Sequence, residues 1–327
     1  MPASILQSTA AQAPIVTLTL NPALDLAVES DKVDPGPKLR VSAPVVEPGG
    51  GGVNVARAID RLGGQALAIA ALGGLSGDKL AQLMRGTDHP LEVFAVQGET
   101  RQSLTVTDRS DGRQFRFVMP GPSWIEEQTP LMLGMIGDKL VEGAYLVLSG
   151  SQPPGLSAAF PSDIARLAAS RGARLVVDTS GPALARLIDA PPRERPFVLR
   201  LDEGEAALLA GGELASAAQA AELAQALVAR GVAAVVVVAR GAEGSVLAGE
   251  GQRLSCSPPP VTVNSKVGAG DSFTGGFVLA LARGEGLEAA LRLGTAAAAA
   301  AVMTGSTELC RREDVARIEP QCRVEAL

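Results

Sequence analysis

The sequence predicts an α/β fold: a mostly parallel central sheet flanked by helices, with a small β lid. Short Val-, Ile- and Leu-rich runs alternate with helical stretches, the rhythm of βαβ units. These runs are continuously apolar, which suits strands covered on both faces. Hydrophobic residues make up 46% of the 327 residues and aromatics only 3%, so Ala, Leu and Val must fill the core, as they usually do between helices and a parallel sheet.

In chain order, strands are expected at 15–20, 67–71, 145–148, 174–177, 197–199 and 234–238. Helices are expected at 53–62, 76–84, 157–170, 203–210, 216–229, 269–282 and 287–303. Gly63-Gly64, Gly172 and Gly231 follow three of them, where a helix stop belongs. Segments 24–46 and 91–118 break the rhythm; 103–107 and 114–118 alternate in polarity, as half-exposed antiparallel strands do, and Asp111-Gly112 between them is a hairpin turn. These two segments form the expected lid on a single domain of residues 15–327. Residues 1–14 read as a loose tail, having neither the basic start nor the long apolar run of a signal peptide.

Composition removes several function classes. The longest apolar runs, 232–239 and 296–303, fall far short of the roughly 18–20 residues that span a bilayer, so the cytoplasm is expected. A net charge of −6 argues against general nucleic-acid or acidic-membrane binding. Cys256, Cys310 and Cys322 are too widely spaced for a CxxC metal site and read as ordinary thiols. The one histidine, His89, sits in a loop-like Thr-Asp-His-Pro context and leaves no material for a His cluster or a Ser-His-Asp triad.

Ligands of parallel α/β sheets sit beyond the carboxyl ends of the strands. Directly after the expected strands come segments 21–25, 149–155, 178–181, 200–205 and 240–244, polar, rich in Gly and carrying carboxylates. The sharpest signal is Gly268-Ala269-Gly270-Asp271-Ser272, at the start of a helix with Phe273, Phe277 and Leu281 on one face. Two glycines let backbone N–H groups converge, and the helix terminus adds positive potential, making an anion site. Asp271 in the first turn suits a general base, and equally a helix cap. The run Pro48-Gly-Gly-Gly-Gly-Val-Asn54 lets a ligand approach the backbone, with Asn54 offering a donor and an acceptor; a flexible loop is the alternative. Neither run is a Walker A motif or a Gly-x-Gly-x-x-Gly fingerprint. Lys38 and Arg101, in the lid-like regions, suit a substrate phosphate, although such residues are commonly just solvated.

From Ile15 to Arg312 the chain resembles the PfkB or ribokinase-like carbohydrate kinase family. Segments 48–64 and 267–273 resemble its two signatures. Segments 17–25, 100–102, 117–121 and 149–155 resemble its sugar-phosphate branch, and Lys38-Leu-Arg40 with the uninterrupted Gly49–Gly52 is nearest the minor type of bacterial 6-phosphofructokinases. The resemblance implies a ribokinase-like fold and a phosphotransferase using ATP and Mg2+ to phosphorylate the 1-hydroxyl of fructose 6-phosphate. Asp25, Gly50, Gly51 and Asn54 would hold the sugar, and Lys38 and Arg101 its 6-phosphate, with Ser151 nearby. Gly268, Ala269 and Gly270 would stabilise the transferred group while Asp271 takes the proton. A homodimer through the β lid is implied, and a second, inhibitory ATP is known in the minor type.

On the nucleotide side the pattern departs from the family. Arg200-Leu-Asp202-Glu-Gly-Glu205 stands where Lys-Pro-Asn-x-x-Glu is expected, Ala239-Arg240-Gly241 where Ser-Leu-Gly is expected, and Lys266 replaces a Thr. Arg200, Asp202, Arg240, Gly241, Gly244 and Lys266 are therefore the expected nucleotide contacts, and Glu205 the expected metal residue. Tagatose 6-phosphate or fructose 1-phosphate as acceptor, another phosphate donor, and a non-catalytic sugar-phosphate sensor are the alternatives.

Overall fold

The structure, a computed structural model, describes residues 11–36, 38–85, 90–249, 251–305 and 308–327. His89 and residues 1–10 of the expected tail lie outside them. Residues 12 and 13 of that tail are tied down rather than loose. Gln12 exchanges two hydrogen bonds with the Gln65 backbone, and the Ala13 N–H donates to the Ala282 carbonyl at 2.7 Å.

Seven parallel strands form most of a ten-stranded sheet: β1 (Ile15–Thr19), β4 (Leu67–Leu72), β5 (Leu91–Ala95), β8 (Tyr145–Ser149), β9 (Arg174–Asp178), β10 (Val198–Leu201) and β11 (Val235–Ala239). Antiparallel strands β12 (Ser245–Gly249), β13 (Gln252–Ser257) and β14 (Arg323–Ala326) extend it, giving the order β14-β13-β12-β11-β10-β9-β8-β1-β4-β5. All six expected strands are present. The antiparallel extension was not expected, because its strands are short and β13 and β14 are largely polar.

Continuous hydrophobicity has the anticipated cause. Successive residues of a strand enter opposite layers: Tyr145 and Val147 join one core cluster, Leu146 and Leu148 the other. The first layer is covered by α1 (Gly51–Arg61), α2 (Gly74–Arg85), α8 (Ala269–Ala282), α9 (Leu287–Val302) and α10 (Arg312–Ile318). The second is covered by α3 (Gln128–Lys139), α4 (Phe160–Ser170), α5 (Gly181–Asp189), α6 (Glu203–Ala210) and α7 (Ala217–Ala229). The alanine tract 296–301 is mostly buried in α9. There small residues allow close packing: a Cβ on Gly276 would lie 3.0 Å from the Leu293 carbonyl oxygen of α9. Helices α3, α5 and α10 went unread; α5 opens on Gly-Pro, and α10 has only seven residues.

The lid is a separate four-stranded sheet, ordered β3-β2-β6-β7, from β2 (Ala23–Ser30), β3 (Val45–Gly49), β6 (Arg101–Asp108) and β7 (Gln114–Val118). One expectation is corrected: residues 91–95, placed in the lid from their position in the chain, form β5, parallel to β4 in the main sheet. No helix among the described residues is long and apolar enough to cross a membrane. Cys256, Cys310 and Cys322 are buried free thiols.

Strand order reverses at β1, which lies between β4 and β8, so a crevice opens beyond the carboxyl ends of β1 and β8. Thr19 fixes the helix that enters it: its fully buried hydroxyl accepts the Val53 N–H of α1 at 2.7 Å. Thr19→Val keeps the volume and orphans that donor, so urea unfolding should show a loss of roughly 1–3 kcal/mol. An unchanged midpoint would show that the hydroxyl does not hold α1 in place.

Candidate active site

The glycine run binds the start of α1 to the crevice by close approach. A Cβ on Gly51 would lie 2.4 Å from Ser149 Oγ and 2.6 Å from the Gly150 nitrogen, so only glycine fits against the end of β8. Gly50 has φ 105°, which few other residues tolerate. Part of what the sequence suggested as room for a ligand is therefore taken up by the protein's own backbone.

One turn into α1, Asn54 is held from both sides. Its Oδ1 accepts from buried Arg57 at 3.2 Å, which leaves Nδ2 to donate to Asp271 Oδ2 at 2.9 Å. Arg57 also donates to the Pro48 carbonyl at 2.8 Å and pairs with Glu47 at 2.9 Å. The two sequence motifs, 217 residues apart, thus meet in one hydrogen bond.

Asp271 occupies the first turn of α8, behind Gly268 with φ 75°. Gly268, Ala269 and Gly270 are half-buried and open the helix with no side-chain cap. Asp271 therefore does not cap its helix; its carboxylate is turned to Asn54. Burial raises its pKa to about 6, with repulsion from Asp178 and Asp25 adding to the rise and the Asn54 bond and Arg200 opposing it.

On the lid, Asp25 in β2 is likewise raised to about 6 by burial, against the pull of Arg101, Arg116 and Arg57. Arg101 donates to the Asn21 carbonyl at 3.2 Å, and Asn21 Nδ2 donates to Ser151 Oγ at 3.2 Å. Arg116, on β7, escaped sequence reading. Ser103 of β6 registers with Asp25 on one side and Val118 on the other, so Arg116, two residues from Val118, shares their sheet face. The alternation across 114–118 was the available signal. Lys38 is exposed on the loop between β2 and β3, and no bond draws it to Asp25 or Arg101.

The nucleotide side differs most from expectation. Arg200 points into the site: NH1 donates to both Asp178 oxygens at 3.2 Å, the guanidinium lies 5.6 Å from the Phe273 ring centre, and a Cβ on Gly270 would sit 3.1 Å from NH1 and NH2. Burial pulls its pKa down, but Asp178, Asp271 and Glu205 outweigh this and hold it above the ordinary arginine value. Asp202, expected as a nucleotide contact, caps α6: its Oδ1 accepts the Glu205 N–H at 2.7 Å, while Glu205 Oε2 accepts the Asp202 N–H at 2.8 Å. The Glu205 carboxylate, expected at a metal, is thus engaged in this reciprocal cap, and burial raises its pKa to about 7. Among the described residues no group of three His, Cys, Asp or Glu stands ready to hold a metal ion. Arg240 pairs with Glu243, Gly241 and Gly244 bound the turn from β11 to β12, and Lys266 is exposed before the nest. The structure brings Asp25, Arg101, Gly50, Gly51, Asn54, Asp271, Gly270 and Arg200 to one edge; it shows no contact that joins Lys38, Lys266 or Arg240 to them.

A switch-point crevice, a β lid and a carboxylate beside a backbone nest define a ribokinase-like protein. Residues 15–314 match the pfkB family of carbohydrate kinases, and the chain belongs to that family. It is 38% identical over 304 residues to the ATP-dependent 6-phosphofructokinase isozyme 2 of Escherichia coli K12, covering 93% of this chain and 97% of that one. It is 31% identical over 312 residues to the 1-phosphofructokinase of Xanthomonas campestris pv. campestris, covering 94% of each. The crystal structure of phosphofructokinase-2 from Escherichia coli in complex with fructose-6-phosphate superposes with a TM-score of 0.87 at 36% identity, over 94% of this chain and 99% of that one.

The raised pKa of Asp271 has a stability consequence. Folded, the carboxyl holds its proton more tightly than when unfolded, so ionising it costs stability in full above pH about 6, and the cost fades as pH falls towards the unperturbed 3.8. Asp271→Asn keeps an acceptor for Asn54 and removes this cost. The variant should melt above wild type at pH 8, with the gap closing towards pH 4. A variant that melts no higher at pH 8 contradicts the assignment.

Proposed function

We propose that the protein transfers the γ-phosphoryl group of ATP to the 1-hydroxyl of fructose 6-phosphate, giving fructose 1,6-bisphosphate and ADP. The observation that carries this reading is the Asn54–Asp271 hydrogen bond, which sets a half-buried carboxylate of raised pKa between the sugar-side glycine run and the nest at Gly268–Gly270. Asp25, Gly50, Gly51 and Asn54 hold the sugar hydroxyls. Arg101 and Arg116, both on the Asp25 face of the lid, take the 6-phosphate, with Lys38 reaching it from the neighbouring loop and Ser151 alongside through Asn21. Asp271 accepts the hydroxyl proton as the oxygen attacks phosphorus in line and the ADP oxygen leaves. The N–H groups of Gly268, Ala269 and Gly270, together with Arg200, stabilise charge on the group in flight.

Arg240, Gly241, Gly244, Asp202 and Lys266 border the nucleotide. Magnesium bound to the nucleotide neutralises phosphate charge, and such ions are held largely by phosphate oxygens and water with one or two carboxylates. Glu205 is the nearby carboxylate for such an ion.

On the lid face opposite Asp25, Phe117 is 54% exposed, an apolar side chain that pairing through the lid would cover. A homodimer through the β lid follows from this reading. Phe117→Asp should shift sedimentation towards monomer; a wild type that is monomeric at micromolar concentration excludes it.

Turnover with ATP and magnesium should be highest on fructose 6-phosphate against fructose 1-phosphate and tagatose 6-phosphate, and equal or greater turnover of either would move the assignment. Asp271→Asn should lower kcat by roughly 10²–10⁴-fold with sugar binding largely kept, and survival of activity would remove it as base. A sugar-phosphate sensor would instead bind sugar phosphate in calorimetry and show no magnesium-dependent nucleotide binding.

A further inference from the structure

Asp178 closes β9 and has no part in the reading above, yet it joins three elements of the site. Its carboxylate accepts both hydrogen bonds from Arg200 NH1 of β10, and its Oδ2 also accepts from Thr274 Oγ1 of α8 at 3.0 Å. Its backbone carbonyl accepts the Gly150 N–H at 2.9 Å, at the strand-order reversal.

The Arg200 side chain makes no hydrogen bond among the described residues other than those to Asp178, and its buried Nε has no partner. The guanidinium therefore lies between two carboxylates, hydrogen-bonded to Asp178 and electrostatically attracted to Asp271. An arginine that closed onto Asp271 would form an ion pair with the base and weaken its hold on a proton. It would also leave the position over Gly270, where its donors meet a transferred phosphoryl group.

We propose that Asp178 is a positioning residue that anchors the Arg200 guanidinium over the nest and keeps it from closing onto Asp271. Thr274 aims the anchor, and the Phe273 ring supports the guanidinium from below. The charged and polar groups around Asp271 are Asp178 from β9, Arg200 from β10, Asp25 from β2 and Asn54 from α1. With Asp178 neutral, Arg200 turns to Asp271, the next strongest of the carboxylates that attract it. The proposal rests on Asp271 being the base.

The test is the pH profile of kcat for the full chain with ATP, magnesium and fructose 6-phosphate. In Asp178→Asn the acid limb should move down by about one pH unit or more, with KM for the sugar within about twofold. In the Arg200→Gln background the same substitution should move the limb by less than about half as much, since only the loss of direct repulsion between Asp178 and Asp271 remains there. A kcat loss with an unmoved limb assigns Asp178 a merely structural role, equal shifts in both backgrounds leave only its direct repulsion of Asp271, and either result overturns the proposal. Thr274→Val, which removes only the orienting hydroxyl, should shift the limb the same way by less; if Asp178→Asn does not fold, an unmoved limb in Thr274→Val overturns it. A wild type with no acid limb sinks the base itself. The anchor is then decided by a crystal structure of Asp178→Asn, or of Thr274→Val where the former does not fold: Arg200 turned to Asp271 supports it, and Arg200 still over Gly270 overturns it.

Discussion

Helices α1 and α8 can begin side by side because nothing larger than a methyl group separates them one turn further in. A Cβ on Gly275 would lie 2.9 Å from the Ala58 Cβ and 3.2 Å from the Val55 carbonyl oxygen. Asn54 stands four residues before Ala58, and Asp271 four before Gly275, so each polar residue lies on the same stripe of its helix as the small one. The close contact that packs the helices therefore also sets the Asn54–Asp271 bond. Both helix termini, with their outward N–H groups, are delivered to the crevice left by the reversal of strand order at β1.

Around that junction the protein buries carboxylates and surrounds them with arginines. Asp25, Asp271 and Glu205 are all pushed up chiefly by burial, and Arg57, Arg101, Arg116 and Arg200 oppose it in part. A polar site of this kind costs stability, which the alanine- and valine-rich layers on both faces of the sheet must supply. Three of the departures from the family pattern find local partners. Arg200 pairs with Asp178, Arg240 with Glu243, and Asp202 shares a reciprocal cap with Glu205.

Reading from sequence succeeded where a local pattern had one structural solution. Unbroken Val and Leu runs mark strands covered on both faces, and β1, β4, β8, β9, β10 and β11 appeared where those runs lie. It failed where the pattern was short or shared by different sheets. Leu91–Ala95 has the look of a lid strand, but its partner β4 lies in the main sheet, and strand pairing is a long-range choice. Arg116 escaped for the same reason, and Asp178, marked only as part of a strand-end segment, was given no role, since their significance comes from Asp25 across two strands and from Arg200 on the neighbouring one.

The sequence by itself determined the layered α/β class and the glycine-opened helix start at Gly268–Gly270 with Asp271 in its first turn, because backbone turns, helix starts and strand burial are written in neighbouring residues. Tertiary structure alone decided that Asp271 turns to Asn54 rather than capping its helix, that Asp202 and Glu205 cap each other, and that Arg200 is held by Asp178. Each of those outcomes is a competition between partners from different elements, and distance after folding, which no local pattern encodes, selects the winner.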